Sequence, residues 1–128
     1  MASWDYFVGF ERAPKDLDKF LDSQGYARIP GGPDSPERFF ESKEGELVEL
    51  IYFPKIGKTE EREVPNWRKS GCHVTSELMV STKEPSAQVE AERIACALVN
   101  EYDSVCFDPN DDIEEDAYLR AKDLKHNR

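Results

Sequence analysis

The chain switches between two hydrophobic periods, and the clearest switch lies between Cys72 and Pro109. The stretch CHVTSELMVST alternates. Val74, Ser76, Leu78 and Val80 share one side, and His73, Thr75, Glu77 and Met79 share the other. A period of two, apolar on one side and mostly polar on the other, predicts a strand in a sheet covered on one face. Residues 85–102 then change to helical spacing. Ala87, Ala91, Ile94, Ala95, Leu98 and Tyr102 make one stripe, with Gln88, Glu92, Arg93 and Asn100 largely outside it. Pro85 suits the first helical position, where its missing N–H costs nothing. SVCF returns the chain as a short strand, which Asp108-Pro109 ends.

The remaining segments read in the same terms. SWDYFVGF, residues 3–10, is a strand with Trp4, Tyr6, Val8 and Phe10 on one face and Asp5, Phe7 and Gly9 on the other. Pro14 opens a short helix with Leu17, Phe20 and Leu21 as its stripe. Gly25 fits the left-handed position after that helix, with Tyr26 packing back on Leu21. Residues 26–30 form a brief strand, and residues 31–36 are a loop by composition. Residues 38–43 and 47–53 are two strands around Glu44-Gly45-Glu46, a hairpin turn. The second, LVELIYF, is apolar on both faces except at Glu49, which places it inside the sheet. Residues 54–71 are irregular and dense in charge; a loop of that length is either functional or hides a short element near 65–69. Beyond Pro109, Ile113, Ala117, Ala121 and Leu124 predict a third helix.

The predicted order is β-α-β-β-β-β-α-β-α, in one α+β domain spanning residues 1–128. Pro14 and Pro85 stand in equivalent places, each leading from a strand into a helix. The expected architecture is a mostly antiparallel sheet with the helices on one face, a ferredoxin-like two-layer sandwich. Runs of adjacent strands argue against a doubly wound parallel sheet.

Composition narrows the function classes. At 128 residues a domain buries a working core without disulfides or metals. Seven Phe, five Tyr and two Trp argue against global disorder. A formal charge of -10 opposes binding to nucleic acid or anionic membrane. It fits a basic protein partner, plain solubility or a high-salt cytoplasm. Cys72, Cys96 and Cys106 are odd in number and irregular in spacing, and the first residues have neither a basic start nor an apolar run. Reduced thiols in a cytoplasm are expected.

Few residues stand out as chemistry. Cys72 and His73 are adjacent on a predicted strand, so they point to opposite faces and form neither a nucleophile–base pair nor half a metal site. Cys96 and Cys106 read as small buried hydrophobes, and no grouping supplies the four ligands of a structural zinc. The acidic run from Asp108 to Asp116 has Asn110 and Asp112 in calcium-loop positions, but Ile113 and Leu119 replace the glycine and the closing glutamate. Asp111 and Glu114 instead fit a capping box for the third helix. No hydrolase, metalloprotease or dinucleotide motif is present, and no cofactor is implied.

The resulting expectation is a protein-binding or regulatory module rather than an enzyme. Trp67, beside Arg68 in the charged 54–71 stretch, is the expected contact. The alternative is a small ligand-binding protein or hydrolytic enzyme using an open sheet face with His73, Thr75 and Glu77; that face serves equally for a homodimer.

Overall fold

Among the described residues seven strands hydrogen-bond into one sheet, and the first strand in sequence lies well inside it. The computed structural model describes residues 4–30, 36–45, 47–56 and 72–107, and the backbone of 118–120. The elements are β1 (Trp4–Phe10), α1 (Leu17–Ser23), β2 (Tyr26–Ile29), β3 (Arg38–Ser42), β4 (Val48–Phe53), β5 (Ser76–Thr82), α2 (Gln88–Tyr102), β6 (Val105–Phe107) and β7 (Tyr118–Arg120). The sheet order is β2-β3-β4-β5-β1-β6-β7, and every neighbouring pair is antiparallel.

The fold is α+β, with both described helices on one sheet face. α2 packs on β1, β5 and β6, and α1 packs on β2. Between helices and sheet lies the main core: Tyr6, Val8 and Phe10 from β1, Leu50 and Tyr52 from β4, Leu78 and Val80 from β5, Leu17 and Leu21 from α1. Ala91, Ile94, Ala95 and Leu98 bring the predicted stripe of α2 into it, joined by Val99 and Cys96. Each fully buried Leu, Ile or Val side chain contributes about 1.5–3 kcal/mol. Small alanines at two of these positions let the α2 backbone approach the sheet. Pro85 opens a single 3-10 turn, Pro85–Ala87, that leads into α2.

Three expectations need correction. The ferredoxin-like order is not what the sheet shows. That arrangement has four strands, whereas here β2, β3, β4 and β5 run as a meander on one side of β1. β5 and β6 flank β1 and are both antiparallel to it, so β5-α2-β6 is a split β-α-β unit. Second, the predicted third helix is overturned at residues 118–120, which form β7 and pair with β6. The exposed edge of β6 offers unpaired backbone groups, and a stripe of two alanines, one Ile and one Leu has little apolar area to set against that pairing. The calcium-loop and capping-box positions from Asp108 to Asp116 lie outside the described residues. Third, β5 starts at Ser76 rather than Cys72. Thr75 donates its backbone N–H to Phe10 O at 2.8 Å, and its hydroxyl donates to Glu11 O at 3.1 Å.

The α1 terminus follows the sequence closely. Gly25 has φ of 94° and donates its N–H to Asp22 O. Nothing lies within 4 Å of a Cβ placed there, so an alanine meets a conformational cost rather than a clash. Gly25→Ala is expected to lower stability by about 1 kcal/mol in urea titration. An unchanged midpoint would mean that this turn does not need the left-handed conformation.

Candidate functional site

Strand register turns single residues into rows. Partners stand directly opposite one another, and successive side chains alternate between faces. One row on the face away from the helices runs Ile29, Phe39, Ile51, Met79, Phe7, Phe107, each paired with the next. It crosses six strands without a polar residue.

The two ends of this row differ. Around β1 and β6, Phe7 and Val105 are buried and Ile56, Cys72, Val74, Met79 and Phe107 pack on them, making a second core cluster. The Phe7 and Phe107 rings are 6.2 Å apart and tilted. Around β2 to β4, Ile29, Phe39 and Ile51 are half-buried and, among the described residues, belong to neither core cluster.

A polar row borders the apolar one. Ala27, Glu41, Glu49, Ser81 and Asp5 are successive partners across β2, β3, β4, β5 and β1. Ser81 Oγ donates to Asp5 Oδ1 at 2.6 Å. Glu41 and Glu49 are both exposed and directly opposed. Like charges in that relation destabilise a sheet. Beside Glu49 a shallow depression is lined by Leu47, Ser81, Thr82, Lys83 and Glu84, with Leu47 well exposed at its rim.

The residues singled out in the sequence fall in different places. His73 and Thr75 are exposed and precede β5. Glu77 is 0% exposed and is engaged there by polar or electrostatic interaction. Glu77 lies between Phe53 and Gly9 in a third row, with Val105 beyond Gly9. His73, Thr75 and Glu77 therefore do not line one open face; the face is covered where Glu77 stands. The physical reason is that Phe7, Phe53 and Val105 add apolar surface to this side, which β5 alone does not reveal. Val74 likewise joins the second cluster instead of the Leu78 face. Trp67 and Arg68 lie outside the described residues. Cys96 and Cys106 are buried in the main core.

On the helix side a polar network joins three elements. The Tyr26 hydroxyl donates to Glu90 Oε2 at 2.7 Å. Arg93 holds the same carboxylate through Nε at 2.6 Å and NH2 at 2.9 Å. Its NH1 reaches Gln24 Oε1 at 3.0 Å, beyond the end of α1. Burial alone pushes the Glu90 carboxyl up, but the bonds from Arg93 and Tyr26 and the Arg93 charge outweigh it and leave its pKa lowered. At the other end of α2, the Tyr102 hydroxyl donates to Lys15 O. Burial, then the charges of Glu101 and Asp16, push its pKa up to about 12. These groups hold the helices in place.

Reading each strand alone missed Phe39, Ile51, Glu41 and Glu49 as one surface. The signal was the two-sided apolar pattern of LVELIYF, which announces a second face with something to bury. Among the described residues no group of three His, Cys, Asp or Glu could hold a metal ion. No helix among them is long and apolar enough to cross a membrane. No protein-family model, curated protein or solved structure matches this chain.

Proposed function

We propose that this chain is a cytoplasmic protein-binding or regulatory module that works through the sheet face away from its helices. One observation carries the proposal: the apolar row continues past the second core cluster to Ile51, Phe39 and Ile29, which among the described residues belong to neither cluster. A half-buried apolar row on a sheet face, in an otherwise charged chain, has apolar area left to bury against a partner. Trp67 and Arg68 form a second contact in the proposal, on the strength of tryptophan's large rigid ring. No cofactor enters, and nucleic acid and membrane are disfavoured by the charge of -10.

The test is affinity capture from native extract, followed by titration of the purified captured protein. Phe39→Ala with Ile51→Ala is expected to weaken that complex by about tenfold or more, with folding largely kept. Trp67→Ala is expected to weaken it by a similar factor. Full affinity in both variants would remove the sheet face and the tryptophan together as the contact.

A further inference from the structure

We infer that the sheet face takes an amphipathic helix whose apolar side is flanked, one turn along, by Lys or Arg. This rests on the protein-binding reading above and names the chemistry of its partner. The apolar end of the face, Ile29, Phe39 and Ile51, is three strands wide. Two strand spacings make about 10 Å, the width of one helix of about 10–12 Å diameter lying along the strands.

Charge selects the partner. The acidic row lies two residues along each strand from the apolar row, about 6.8 Å away. A helix turn advances about 5.4 Å, so side chains one turn beyond an apolar anchor arrive over Glu41 and Glu49. Those two carboxylates oppose each other directly across β3 and β4, an arrangement that costs the free sheet stability. A cation placed between them removes that repulsion, so binding gains from a feature that folding alone does not favour. Asp5, fixed by Ser81, extends the same border toward β1. A second copy would bring Glu41, Glu49 and Asp5 of one chain against a chain of charge -10, and an anionic surface would meet the same repulsion.

The experiment uses the full chain and a synthetic amphipathic helix of about 18 Leu and Lys residues, five turns long. A Leu/Glu peptide of the same pattern is the control. The Leu/Lys peptide is expected to bind and to shift the NMR signals of Phe39 and Ile51. Binding should fall as salt rises from roughly 50 to 300 mM. Glu41→Gln with Glu49→Gln should weaken it about tenfold, whereas Glu92→Gln with Glu101→Gln, the same charge change on the exposed side of α2, should weaken it less than about twofold. Equal losses in the two double variants, or shifts confined to the helix side, would show attraction by net charge alone and overturn the inference. Equal binding of the Leu/Glu peptide, or a concentration-dependent dimer that excludes the peptide, would overturn it as well. The two levels separate cleanly. If the Phe39 and Ile51 variants lose the captured protein but the Glu41 and Glu49 variants do not, the contact face stands and the basic partner falls. If neither pair matters, both fall.

Discussion

Leu98→Ala is expected to lower the unfolding free energy by about 2–5 kcal/mol. Leu98 is 0% exposed and sits on α2 in the main core with Ile94 and Ala95. Truncation removes the transfer energy of the lost carbons and leaves a cavity, because the sheet beneath cannot follow the missing side chain. The same helix supplies the control. Val89 is 79% exposed, and Val89→Ala should stay within about 0.5 kcal/mol of neutral. Urea or thermal denaturation of both variants measures the contrast. A loss under about 1 kcal/mol at Leu98 would mean that α2 does not carry the sheet's core.

Glu90→Ala should cost about 1–3 kcal/mol, although Glu90 is only half-buried. The cost arises in its partners. Tyr26 is 1% exposed, and its hydroxyl loses the Glu90 carboxylate, while the Arg93 guanidinium loses two bonds. Glu90→Gln keeps an acceptor and should cost less. The pH dependence has a definite sign. The folded pKa of Glu90 is lowered, so its contribution is present above the unfolded carboxylate pKa and is lost as pH falls through the folded value. Glu90→Gln should therefore flatten the acid limb of the stability curve below the ordinary carboxylate range. Tyr102 acts at the other extreme. Its folded pKa is raised to about 12, so its contribution is complete below its ordinary value of 10.0 and is lost as pH rises toward the folded one. An acid limb unchanged in Glu90→Gln would place the acid-sensitive group elsewhere.

Most elements were legible because their information is local. The α2 stripe, the alternation of β1, the glycine ending α1 and the hairpin around Gly45 each sit within a few residues of sequence. The third helix failed for a non-local reason: residues 118–120 meet the open edge of β6, and nothing in their own pattern records that edge. The candidate surface was illegible for the same cause. Phe39, Ile51 and Met79 come from three strands, and only register lines them up. A one-residue slip of β4 would turn Glu49 toward the helix-covered core and set Leu50 or Tyr52 opposite Phe39. Glu77 was read as exposed because β5 was judged by its own alternation, whereas other strands bring Phe53 and Val105 into its row.

The position of β1 sets the order in which this chain can acquire structure as it is made. Trp4–Phe10 is completed early, yet its partners are Ser76–Thr82 and Val105–Phe107. Until residue 76 has emerged, β1 has neither neighbour, and its apolar face of Tyr6, Val8 and Phe10 waits exposed. The meander from β2 to β4 meanwhile needs only sequential pairings and can assemble first. Inserting β1 then closes long loops on both sides at once, and such non-local pairing slows folding. A nascent chain stalled near residue 70 should therefore hold a three-stranded meander with its N-terminal strand free, open to chaperones and to pairing with a neighbouring chain.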